Sequence, residues 1–162
     1  MRVAHPDRDA VRRWTGGGVV PHGDDFTYSL LIPANAWTAR IVAAESYRVI
    51  HEALRAVLSE ARIAAEIVSM DESKVSQACF ENPVRYDILV AGRKAAGAAQ
   101  RRSRLGLMHQ GSVQGLSLPP DFGVRFAGHL AAEVRSNHYD TRQTAGNVAA
   151  EKYATPVWLK MR

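Results

Sequence analysis

The sequence predicts an α/β domain of the α+β type, a mixed β-sheet packed against helices. Three observations carry that expectation. Phe26-Thr27-Tyr28-Ser29-Leu30-Leu31-Ile32 is a β-branched and aromatic run closed by Pro33. From Ala39 to Arg62 the apolar residues Val42, Val49, Ala53, Leu54, Val57, Leu58 and Ala61 recur at helical spacing, with Glu and Arg between them. Tyr86–Val90 ends in three consecutive apolar residues, the pattern of a strand buried on both faces. Strands and one long helix alternate without an internal repeat or a linker, so one domain is expected over residues 1–162.

In chain order, strands are expected near residues 10–14 and over 19–32, separated by Thr15-Gly16-Gly17-Gly18, a turn with wide backbone freedom. A short strand near Ala64–Val68 leads into a polar loop from Ser69 to Gln77. Ala91-Gly92 is a tight-turn candidate. Arg93–Arg101 is rich in small residues and fits strand or helix by pattern alone. Leu107–Val113 reads as a strand, and Pro119-Pro120 interrupts regular structure beyond it. Gly123–Arg135 has helical spacing at Phe126, Leu130 and Val134. Asn137–Tyr153 is polar, and Val157-Trp158-Leu159 reads as a last strand or a docking segment.

Composition bounds the function classes. The 162 residues are 46% hydrophobic and 23% charged, which excludes a disordered or collagen-like chain. No apolar run reaches the ~18 residues of a membrane helix, and the polar, Arg-rich start does not read as a secretory signal. One cysteine, Cys79, makes no disulfide framework, and an intracellular, cytoplasmic protein is expected. The net charge is +5 and the pI about 9.7. Acidic residues lie between the basic clusters Arg12-Arg13 and Arg101-Arg102-Ser103-Arg104, so an anionic small ligand or an acidic protein partner is expected rather than nucleic acid.

Four segments carry candidate chemistry. In the first, from Arg12 to Asp25, three consecutive glycines let backbone amides approach a ligand, and Arg12 or Arg13 supplies a forked donor for a phosphate or carbonyl oxygen. A flexible turn explains the glycines alone. The second is Cys79-Phe80-Glu81-Asn82-Pro83, where a thiolate is a strong nucleophile if a nearby cation lowers its pKa; a lone buried cysteine is the plainer reading. In the third, Gly92-Arg93-Lys94-Ala95-Ala96-Gly97-Ala98-Ala99-Gln100, the tiny side chains after Lys94 leave room for a ligand, and the lysine suits a carbonyl or phosphate oxygen. The fourth, His109-Gln110-Gly111-Ser112, offers a general base or a structural histidine. No Gly-x-Ser-x-Gly elbow is present. His5, His22, His51, His109, His129 and His138 form no close pair at ligand spacing, so no metal site is expected.

Together these strings, with Asp25-Phe26-Thr27-Tyr28-Ser29 and Asp87-Ile88-Leu89-Val90, resemble the biotin/lipoate A/B protein ligase family, which includes lipoate–protein ligases and octanoyltransferases. They stand in the family's order over most of residues 10–115. The resemblance implies a ligase-like catalytic domain with an acyl-binding tunnel. It implies that Arg13, Gly16, Gly17, Gly18, Val19, Val20 and His22 line the site, with His109 and Gln110 nearby. It places Lys94 on carbonyl or phosphate oxygens, and has Gly97 and Ala98 leave room for the acyl chain. Cys79-Phe80 is similar to the cysteine-using octanoyltransferase branch. On that branch Cys79 takes octanoate from an octanoyl-acyl carrier protein and passes it to a lysine of a lipoyl domain, such as those of 2-oxo acid dehydrogenase subunits or the glycine cleavage H protein. No cofactor is then needed. The alternative implied activity is an ATP-dependent lipoate–protein ligase, taking lipoate, ATP and Mg. Family domains carry more residues before the Arg-Arg segment, so a sheet short of strands, and an inactive remnant or binding module, are also expectations.

Overall fold

The computed structural model describes residues 12–15, 19–70, 83–137 and 139–160. The chain forms two compact units: Thr15–Val134 is one, and Met1–Trp14 with Arg135–Arg162 is the other.

The larger unit is built on five strands: β1 (Phe26–Pro33), β2 (Ala65–Ile67), β3 (Ile88–Val90), β4 (Arg93–Ser103) and β5 (Gly106–Val113). They lie in the order β1-β5-β4-β3-β2. All four pairings are antiparallel, so no parallel strand accompanies the α+β class among the described residues. The small-residue segment whose pattern fitted strand or helix is the longest strand, β4, paired to β5 over eight register positions from Ala96↔Val113 to Ser103↔Gly106. The β3–β4 turn places Ala91 (φ 50°) and Gly92 (φ 71°) in the left-handed region, as a two-residue hairpin requires.

One face of the sheet is covered by helices. The helical segment expected over Ala39–Arg62 is divided into α1 (Trp37–Arg40) and α2 (Ala43–Glu60), because Ile41 and Val42 are extended. Val42, expected on the apolar face, is therefore exposed. Ile50, Leu54, Val57 and Leu58 of α2 pack with Ile88, Ala96 and Val113 of the sheet and with Phe122 and Phe126 of α3 (Phe122–Leu130). Phe26, Tyr28, Leu30 and Ile32, alternate residues of β1, join the same core. Helix α3 stops at Ala131, which is extended, short of the expected Arg135. The strand expected from residue 19 begins only at Phe26: the Asp25 carboxylate accepts from Gly23 N at 2.9 Å, and this local turn competes with sheet pairing.

In the smaller unit the expected terminal strand is helix α5 (Pro156–Lys160), preceded by α4 (Arg142–Val148) and a π-helical turn, Ala149–Tyr153. Trp158 is buried: its indole N–H donates to Arg12 O at 2.8 Å, and its ring lies 4.6 Å from Trp14. The strand expected near residues 10–14 is not formed over Arg12–Trp14, and its first two residues lie outside the described ones.

Candidate functional site

Lys94 follows the β3–β4 turn and its side chain reaches along β4 to Gly97. Its ammonium sits 2.7 Å from Asp87 Oδ2, and both side chains are out of solvent, at 4% and 0% exposure. A buried ion pair is tolerated when further hydrogen bonds satisfy the charges. Here Asp87 Oδ2 also accepts from Val84 N at 2.8 Å, and Oδ1 accepts from Tyr47 Oη at 2.5 Å. Tyr47 Oη in turn accepts the Ala98 N–H at 2.8 Å, so α2 is tied through one hydroxyl to both the carboxylate and the strand. Burial, then the charge of Asp87, push the Tyr47 hydroxyl far above its ordinary pKa, so it remains a neutral donor.

Gly97 is required by this arrangement. A Cβ there would stand 2.7 Å from Lys94 Cε and 3.0 Å from Nζ. The bare backbone of Gly97 is the surface over which the lysine reaches its position.

Two layers of polar residues flank the sheet here, and its pleat sorts them. On the helix-facing side His109 is fully buried, with Nε2 3.2 Å from Tyr28 Oη and Nδ1 3.1 Å from the Gln100 amide. Swapping the amide of Gln100 lets its oxygen accept from His109 and its nitrogen donate to Ser46. His51 of α2 is also fully buried, its Nδ1 donating to Tyr86 O at 2.7 Å. Burial pushes His51 down to about 4 and His109 down to about 3, so both rings are neutral near pH 7.

On the other face lie Gln110, Ser112 and Ser29. Gln110 accepts from Thr15 Oγ1 at 3.3 Å and donates to Ser29 Oγ at 3.2 Å, which fixes Thr15, the residue before the glycines, above the strand. Ser112 donates to Asp25 Oδ2 at 2.5 Å, and His22 Nδ1 lies 2.8 Å from the same oxygen. Burial alone would push the Asp25 carboxyl up; bonds from Ser112, Gly23 N and His22 outweigh it and hold the group below its ordinary value.

The expected site residues thus divide. Lys94, Gly97 and Ala98 cluster with Asp87 and Tyr47. His22 and Gln110 lie on the face that Ser112 shares, Val20 is half-buried and Val19 is exposed. His109 points to the opposite, helix-facing side from its neighbour Gln110, among Tyr28, Gln100 and Tyr47. Arg13 belongs to the smaller unit. Cys79, Gly16, Gly17 and Gly18 lie outside the described residues. Tyr47, His51 and Asp87 were not expected as site residues; an acidic residue directly before an apolar strand, seven residues from a lysine, was the one available signal. No group of three or more His, Cys, Asp or Glu suited to a metal occurs among the described residues, and no helix there is long and apolar enough to cross a membrane.

An antiparallel sheet backed by one long helix, with a buried lysine drawn over a glycine of the central strand, defines a class that comparison with known proteins identifies. The chain belongs to the family of lipoyl protein ligase A/B catalytic domains, whose model matches residues 3–116. Among curated relatives it is 36% identical over 118 residues to octanoyltransferase LipM of Kyrpidia tusciae, covering 68% of this chain and 43% of that protein. It is 33% identical over 111 residues to octanoyltransferase LipM of Brevibacillus brevis, covering 64% and 40%. The chain therefore spans less than half the length of these relatives. Its fold is that of protein Ta0514 of T. acidophilum, solved with bound lipoic acid (TM-score 0.67, 16% identity, 91% of this chain and 70% of the other). It is also that of lipoate-protein ligase A bound with ATP (TM-score 0.62, 17% identity, the same coverage).

Proposed function

We propose that this chain carries out acyl transfer in protein lipoylation, moving an octanoyl or lipoyl group onto a lysine of a lipoyl domain. The observation that carries the reading is the Lys94 ammonium held over Gly97 by Asp87, in a chain 33–36% identical to octanoyltransferases. In this reading the Cys79 thiolate attacks the thioester of an octanoyl-acyl carrier protein, the donor's acyl–sulfur bond breaks to release the carrier's thiol, and Cys79 becomes acylated. Lys94 stabilises the developing oxyanion; a positive charge held in a dry site stabilises a transition state more than one in water. The acyl group then passes to the acceptor lysine, and thioester exchange requires no ATP. Arg13, Gly16, Gly17, Gly18, Val19, Val20, His22 and Gln110 are the proposed contacts to the acyl group and its carbonyl, with Gly97 and Ala98 beside the chain and His109 behind Tyr28. The +5 net charge suits an acidic carrier or lipoyl domain.

Intact-mass measurement after incubation with octanoyl-acyl carrier protein tests the proposal. One added octanoyl group, removed by hydroxylamine and absent from Cys79→Ala, is the expected result. Retained transfer by Cys79→Ala rejects the acyl-enzyme, and retained transfer by Lys94→Ala rejects the site. A second reading, an ATP-dependent lipoate–protein ligase using ATP and Mg, is favoured by the fold shared with the ATP-bound ligase. Lipoate-dependent pyrophosphate release would move the assignment to it.

A further inference from the structure

The His22–Asp25–Ser112 group is tied down more firmly than either chemistry above requires. Asp25 is carried just before β1, and its side chain is 5% exposed although it stands at the edge of the sheet. Its Oδ1 accepts from Gly23 N at 2.9 Å, and its Oδ2 accepts from Ser112 Oγ at 2.5 Å and from His22 Nδ1 at 2.8 Å. Ser112 is itself fixed by Gln114 Nε2 at 3.2 Å, which also donates to Pro21 O at 2.9 Å, beside the histidine. An ionised carboxylate only accepts, so His22 carries its proton on Nδ1. In the neutral ring Nε2 then carries the lone pair, and the side chain is 57% exposed. A buried carboxylate that fixes the tautomer and stabilises the imidazolium, with the far nitrogen facing outward, is the arrangement of a general base.

Register sets where that base stands. Ser112 pairs with Gly97 across β4 and β5, and directly opposed residues share a face. Gly97 is the residue whose missing Cβ leaves the Lys94 Nζ within 3.0 Å of that position. The histidine–carboxylate pair and the ammonium are thus one strand apart on one face of the sheet.

We propose that His22, oriented by Asp25, is the general base for attack by the acceptor lysine, and the inference rests on the acyl-transfer reading. The neutral amine adds to the acyl carbonyl, giving a tetrahedral adduct with a cationic nitrogen. The nitrogen gives its proton to His22 Nε2, the C–S bond breaks with its electron pair going to sulfur, and the amide C–N bond remains. The exposed imidazolium returns the proton to water. Asp25 is a positioning residue in this scheme, acting through the ring.

The test compares two acceptors, with octanoyl-acyl carrier protein as donor. A lipoyl domain presents a lysine whose adduct needs a base. Hydroxylamine forms an adduct acidic enough to lose its proton to water. His22→Gln is expected to slow transfer to the lysine roughly a hundredfold more than it slows transfer to hydroxylamine. Its deficit should narrow between about pH 7 and about pH 10, as the solvent becomes basic enough to take the proton. Asp25→Asn should show a smaller loss with the same selectivity. Equal losses toward both acceptors, or none toward the lysine, overturn the proposal. If His22→Gln is misfolded by circular dichroism, the acceptor ratio in Asp25→Asn and Ser112→Ala decides in the same way. Wild-type protein that transfers to neither acceptor overturns the acyl-transfer reading, and the base loses its task with it.

Discussion

At the scale of single residues, the site depends on where a side chain is missing. Lys94 reaches its position because Gly97 has no Cβ, and it stays there because Asp87 is held by Tyr47 Oη and Val84 N. Gly97→Ala would put a methyl group 2.7 Å from Lys94 Cε. The lysine end is flexible enough to move aside, so the fold survives while the ammonium leaves its place. If the proposed acyl transfer holds, displacement by about an ångström is expected to lower it roughly a hundredfold, with the urea midpoint almost unchanged. Octanoyl-transfer rates and a denaturation curve on the same preparation check both halves. Lys94 and Gly97 were legible as a pair of residue types at a glycine-rich strand. Asp87 and Tyr47 were not, because a carboxylate before a strand and a tyrosine on a helix look ordinary until the fold joins them across 40 positions of chain.

Among the elements, the β1–β5 pair determines which residues can be large. Tyr28 lies directly opposite Gly111, its ring over the glycine, and the hydroxyl meets His109 at 3.2 Å. A Cβ at position 111 would collide with the Tyr28 ring and hydroxyl. That ring is also held edge-on by Phe126 of α3, at 5.0 Å, and cannot swing away without disturbing the core. Gly111→Ala is therefore expected to destabilise the protein by about 1–3 kcal/mol, the usual cost of overpacking, measured by urea unfolding. Periodicity was a good guide to α2 from Ser46 to Leu58, because that face meets one continuous apolar core. It failed at Val42, where the chain turns out of the helix and the side chain meets solvent. Nor could it separate strand from helix in β4, whose alanines and glycine carry no amphipathic signal; pairing with β5 made the segment a strand.

For the whole molecule, acid stability follows from the two buried imidazoles. His51 and His109 titrate at about 4 and about 3 in the folded chain, against 6.5 for an ordinary histidine. Between those values the unfolded chain binds protons that the folded chain refuses. Stability from these groups is therefore fully present above pH 6.5 and is lost as the pH falls toward 4 and then 3. The loss amounts to at most about 1.4 kcal/mol per pH unit for each histidine. Thermal unfolding between pH 7 and pH 4 should show Tm falling steadily, and His109→Gln should flatten the slope. A Tm independent of pH over that range would mean that neither ring is buried neutral.

The sequence by itself determined the α+β class, the long helix, the strands β1 and β5 and the ordered motifs that mark the family, because these depend on residue type and short spacing. Only the tertiary structure decided that Lys94 is paired with Asp87, that His109 and Gln110 face opposite sides of one strand, and that His22 is joined through Asp25 to Ser112. Each of those contacts is made between segments that the sheet brings together, and the register that aligns them is a property of the assembled strands rather than of any local stretch of chain.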